Sequence, residues 1–143
     1  MKLATIGYES EPQGAVIARL KAAGVERVID VRAVAASRRA GFSKTVLGNS
    51  LNEAGIEYLH LRALGTPAAG RQAARAGRHG EMQAIFADHM REPEAQLALR
   101  QAVDLAREKK SALLCYEANP AECHRTLVAE MMLALEAFEI EHL

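Results

Sequence analysis

A chain of 143 residues with 18 basic and 18 acidic side chains carries no formal net charge, half of its residues are hydrophobic, and only two are cysteines. That length can bury one core without disulfides or metal, and two cysteines are too few for a secreted disulfide framework. The neutral total gives no global pull toward nucleic acid or membrane, no apolar run nears the roughly 20 residues that span a bilayer, and no basic-then-apolar leader is present, so one cytoplasmic domain over residues 1–143 without a membrane partner is expected.

Leu3 to Gly7 is predicted as a first strand, and Ser10 as the start of a helix from about Glu11 to Ala23 that Gly24 ends. Glu26 to Val31, rich in valine and isoleucine, gives a second buried strand and completes a βαβ unit. Ser43 is placed as the cap of a helix from about Lys44 to Ala54, stopped by Gly55, and Ile56 to Leu61 reads as a third strand. Arg62 to Gly80 holds Gly65, Gly70, Gly77 and Gly80 with Pro67, and is expected to be a long, partly ordered basic loop acting as a lid. Helices follow from about Glu81 to Met90 and from Pro93 to Lys109, then an apolar strand from Ser111 to Tyr116. Asn119 is a candidate cap, Pro120 a first helical residue, and Glu122 the partner in a capping box for the next helix. A short last strand is predicted for Glu139 to Leu143.

Alternating strands and helices imply an α/β fold, a mainly parallel open sheet of about five strands with helices on both faces, three-layered and Rossmann-like. Ligands then bind at the C-terminal edge of the sheet. Tyr8, Asp30, Arg32, Arg62 and Glu117 leave the strands there, together with Cys123, His124 and Arg125. On the motif helix, Leu127, Val128, Met131 and Leu135 form one apolar stripe, which turns His124 inward toward the strand ends and sets Arg125 about a quarter-turn away near the helix N-terminus. Unpaired N–H groups at that terminus favour an anion.

Charge is distributed unevenly. Arg32, Arg38, Arg39 and Lys44 fall in a stretch without acids, as do Arg62, Arg71, Arg75, Arg78 and His79. If both stretches share one rim, they create a positive field despite the neutral total. Arg32, Arg38, Arg62 and Arg125 are therefore candidate anion-binding residues, with Tyr8 as a hydroxyl donor or stacking ring; the plain alternative is a solvated rim with Asp30–Arg32 and Glu117–Arg125 as structural pairs. Asp30 and Glu117 are candidates for general acid or base, with His124 assisting.

Cys115, inside a buried strand, reads as packing. Cys123, beside His124 and Arg125 at a helix start, is the cysteine with a nucleophilic or redox option. A Cys115–Cys123 pair needs Cα atoms within about 7 Å, which a strand end and the next helix start allow. Cys115, Cys123, His124 and Glu117 are a conceivable metal set, but no metal is expected, because a Cys and a His adjacent on one helix diverge by about 100°. His60 and His142 read as incidental.

These residues also carry a resemblance. Thr5-Ile6-Gly7-Tyr8-Glu9, Asp30-Val31-Arg32 with Ser37-Arg38, Tyr58-Leu59-His60-Leu61 with Leu64-Gly65, and above all Cys115-x-Glu117 with Cys123-His124-Arg125 are similar to the family named domain of unknown function 488. Ala35 stands where that family usually has proline, and Thr66 where Leu-Gly-Gly is common. The resemblance implies an α/β fold and lends no activity.

The residues themselves point to an enzyme that binds a small anionic ligand, phosphorylated or nucleotide-like, and carries out hydrolysis or group transfer. No organic cofactor is expected, since the chain has no Gly-x-Gly-x-x-Gly turn, no Walker loop and no lysine in a cofactor setting. The alternatives are a nucleic-acid-binding module using stretches 32–44 and 62–80, where only Phe42 is available for stacking, and a thiol redox protein acting through Cys123. A homodimer is compatible with either.

Overall fold

Three short strands carry apolar residues on both sides because both sides are covered. β1 (Lys2–Gly7), β2 (Arg27–Asp30) and β4 (Ser111–Cys115) are buried over almost their whole length. In the computed structural model, which describes residues 1–143, they form the centre of a five-stranded parallel sheet ordered β3-β2-β4-β1-β5. β3 (Glu57–His60) and β5 (Glu139–His142) are the less buried edges, and β5 pairs with β1 at Lys2↔Glu139 through Thr5↔His142.

Period-two alternation sends successive residues to opposite cores. Ala4, Ile6, Val28, Ala112 and Leu114 pack under α1 (Gln13–Ala22) and α2 (Lys44–Glu53), with Val16, Leu20, Leu47 and Leu51 opposite them. Leu3, Ile29, Leu113 and Cys115 face the other way, against α3 (Ala68–Arg75), α4 (His79–His89), α5 (Pro93–Glu108) and α6 (His124–Leu135). The chain steps outward from β1 to β3 through α1 and α2, then returns through α3 to α6 on the other face. That reversal opens a crevice over the C-terminal ends of β1, β2 and β4, where open α/β sheets hold their ligands. No helix is long and apolar enough to cross a membrane.

Four local expectations are corrected. Residues 62–80 do not form a loose lid: Arg62–Leu64 is a 3-10 turn, α3 covers eight residues, and α4 begins at His79. Gly70 misleads because its absent side chain is a packing requirement inside a helix, a Cβ there falling 2.3 Å from Thr66 Cγ2. The helix after β1 starts at Gln13 behind Pro12, and Ser10 instead takes a positive φ of 62° in the preceding turn. Ser43 stands at the N-cap of α2, but its hydroxyl donates to Ser37 O and accepts from Ser37 N rather than capping. Asn119 caps only the 3-10 turn Pro120–Glu122, accepting from Ala121 N at 3.0 Å, and α6 begins afresh at His124.

Candidate functional site

The corner after β4 is held from three sides. Gly7 lets the chain pass directly over β1, since a Cβ at that position would sit 1.9 Å from Glu117 O. Glu9 N donates to Tyr116 O at 2.8 Å, and the Glu9 carboxylate accepts from Ala118 N at 3.1 Å. The fully buried Arg125 guanidinium donates to Glu117 O and to Ala118 O. Arg125 is thus a staple for the loop.

Cys123 is extended, with φ −120° and ψ 138°, and stands just outside α6. The divergence of about 100° between neighbours on a helix therefore does not apply to it and His124. Their side chains turn back toward the end of β4, and one ligand atom each from Cys115, Cys123 and His124 lie within 4.8 Å of one another, all buried. His124 Nε2 lies 2.7 Å from Val31 O. A carbonyl only accepts, so this bond assigns the proton of the neutral ring to Nε2 and leaves the Nδ1 lone pair facing Cys115 Sγ at 3.6 Å. Glu117 Oε2 is 3.8 Å from the same sulfur. Burial pushes the Cys123 thiol well above its ordinary 9.0, and neighbouring Cys115 adds to this. Burial works to lower His124, but the Cys123 sulfur, the Val31 carbonyl and the Glu117 charge outweigh it and hold the imidazole above its ordinary 6.5.

Above this group lies a cavity of about 810 Å³. Cys115, Glu117 and His124 are on its β4 side, Tyr8, Arg32 and Arg38 come from the β1 and β2 ends, and Arg71, Arg75 and His79 come from α3 and α4. His79 Nδ1 is shielded from solvent without any hydrogen-bond partner.

Of the residues singled out from sequence, Tyr8, Arg32, Arg38, Glu117 and His124 converge on this cavity. Asp30 does not. It is 0% exposed and spent on Arg32, with Oδ2 2.7 Å from Nη2, while it also accepts from the Tyr58 hydroxyl at 2.5 Å. Arg32 in turn donates to Tyr8 Oη at 3.1 Å and Phe42 O at 2.8 Å. Burial opposes its charge, yet the Asp30 carboxylate more than compensates and raises its pKa. Arg62 is exposed and lines a separate cavity of about 640 Å³. Arg125 and Cys123 are buried outside the lining. His60 and His142 are tied to Arg32 O and Thr5 Oγ1.

The sequence reading assigned Cys115 to packing and left Arg71, Arg75 and His79 in a general basic stretch rather than among the site residues. The signal for Cys115 was its place as the last residue of a central strand at the ligand edge. Arg71 and Arg75 have the i, i+4 spacing of one helix face, which a loop assignment concealed. Phe42, the one aromatic ring in the basic stretches, is fully buried and stacks on Tyr8 with centroids 4.3 Å apart, so it presents no face to a nucleic-acid base. No curated protein and no solved structure matches the chain. The family model described as domain of unknown function DUF488 matches residues 13–132, most of the sequence, and the chain belongs to that family.

Proposed function

We propose that the protein is an enzyme that binds a phosphorylated or nucleotide-like anion in the larger cavity and hydrolyses it or transfers a group from it. The observation that carries this reading is the division of charge around one concave space. Guanidiniums arrive from the β2–α2 connection and α3, whereas Glu9, Glu117 and Glu122 belong to the β1 and β4 ends, beside Cys115 and His124. A substrate lying across the cavity meets planar donors at its anionic group and a carboxylate with a sulfur–imidazole group at its reacting end. Arg38 and Arg75 are exposed and enter no ion pair with the chain, so their donors are free. The unpartnered His79 Nδ1 adds a polar atom that a ligand would satisfy. Glu117 moves a proton, Arg38, Arg71 and Arg75 hold the anion, and the saturated Asp30–Arg32 pair shapes the wall.

Thermal melting with inorganic phosphate and with mononucleotides tests this. Ligand binding to the folded state raises Tm by mass action. A charge-assisted hydrogen bond is worth about 1.5–3 kcal/mol, so Arg38→Ala and Arg75→Ala should each weaken the anion about tenfold or more while leaving the unliganded Tm nearly unchanged. The reading fails if wild type shows no shift, or if the double variant keeps it.

A further inference from the structure

We propose that Cys115, Cys123 and His124 are a three-ligand site for a divalent cation of borderline softness, Zn²⁺ foremost, with a fourth position open to the larger cavity. Metal binding here does not rest on the anion reading; only the use of the metal in turnover does.

Four observations converge. The donor set is two sulfurs and one imidazole, the chemistry that selects Zn²⁺ over Mg²⁺ or Ca²⁺. Bond lengths of about 2.3 Å to sulfur and 2.0–2.1 Å to nitrogen place the ligand atoms of a tetrahedral site roughly 3.5–3.8 Å apart. Cys115 Sγ and His124 Nδ1 are already 3.6 Å apart, and the widest separation in the trio is within 4.8 Å, so about 1 Å of closure completes the set. His124 donates through Nε2 to Val31 O at 2.7 Å. This is the outer hydrogen bond that orients a metal-binding imidazole and bares its other nitrogen. The extended backbone at Cys123 is what brings two sequence neighbours to one centre instead of spreading them around α6.

The plain alternative is core packing, since buried cysteines often serve as small apolar groups. Packing accounts for each thiol singly, but not for the convergence of two thiols and an imidazole nitrogen on one point, the nitrogen held there only by a sulfur contact of 3.6 Å. On binding, both thiols release their protons to solvent, and two thiolates balance the charge of one divalent ion. Cys115 and His124 line the cavity whereas Cys123 lies behind them, so the remaining position faces the cavity, on the side where Glu117 stands. A water bound there would give its proton to that carboxylate, which makes hydrolysis the favoured branch of the reaction class.

The test uses the full chain, reduced and freed of metal by a chelator, titrated with Co²⁺ alone. The expected result is saturation at one equivalent, with the strong visible bands of four-coordinate cobalt and a thiolate-to-cobalt charge-transfer band, both displaced by Zn²⁺. Cys123→Ser and His124→Gln should weaken binding by more than about a hundredfold, beyond the range for outer-shell partners, while Arg38→Ala/Arg75→Ala retains it. In wild type, Zn²⁺ should also protect both cysteines from alkylation, which needs no variant to fold. The proposal is overturned if folded wild type gives no stoichiometric cobalt spectrum, if both thiols alkylate equally fast with and without Zn²⁺, or if Cys123→Ser binds like wild type. Cobalt binding without any phosphate-induced Tm shift would retain the metal site and remove the anion reading.

Discussion

Two buried polar groups sit at the same edge of the sheet, joined where His124 bonds the Val31 carbonyl, and they are built on opposite terms. Around Asp30, Arg32, Tyr8 and Tyr58, both carboxylate oxygens, the guanidinium nitrogens and the two phenols are engaged with one another and with Phe42 O. Burial and the Asp30 charge both push the Tyr58 hydroxyl upward, so it stays a donor. Around Cys115, Cys123 and His124, the one strong bond points outward to Val31 O, and the atoms facing inward are thiols and a ring nitrogen paired only weakly with Cys115 Sγ at 3.6 Å. A network of strong hydrogen bonds shapes a cavity and has nothing left for a ligand; one closed inward only by weak sulfur contacts can exchange them for a ligand. Residue type alone pointed the other way, toward Asp30 and Arg32 as chemistry and Cys115 as packing.

Breaking the saturated group should produce the largest effect. Asp30→Ala leaves the Arg32 guanidinium buried without its counter-charge, which costs about 3–5 kcal/mol. For a chain of this size that lowers Tm by roughly 10–20 °C. A shift of only a few degrees by calorimetry would mean that Arg32 escapes to solvent and the comparison is drawn too sharply.

Gly7→Ala tests the other group with less damage to the core. The new methyl collides with Glu117 O, so the corner must move, at a cost of about 1–3 kcal/mol. Because that corner carries Cys115 and Glu117, the variant should lose the phosphate-induced Tm shift and the cobalt spectrum at temperatures where it is still folded. Retention of both would show that the site does not depend on the close passage of Glu117 and Ala118 over the end of β1.

The smallest expected effect sharpens the contrast with an exposed polar group. Glu57 lies between Lys109 and Arg27, whose hydrogen bonds hold its carboxylate below the ordinary 4.5. A depressed folded-state pKa gives stability that is present above 4.5 and is lost as pH falls through the lower folded value. Glu57→Gln should therefore lower Tm slightly at neutral pH and match wild type in acid. Melts from about pH 7 to 2 decide it; a difference that grows in acid has the wrong sign.

Much of this molecule is legible from local pattern. Five strands, their order of appearance and α5 follow from apolar runs and turn residues, because a strand covered on both faces has few other compositions open to it. The special standing of Cys115-x-Glu117 and Cys123-His124-Arg125 is equally visible, since so many reactive groups seldom share one strand-to-helix passage. Other features had no local signature. Gly70 inside α3 and the restart of α6 at His124 are settled by contacts with Thr66 and with the end of β4, residues that are near in space for reasons of packing. The sequence alone determined the layers, the sheet edge where the cavity lies and the reactive residue types. Only the tertiary structure decided which of those residues are tied up in strong hydrogen bonds and which converge beside the cavity on weak ones, because hydrogen-bond saturation depends on partners that distant segments bring together.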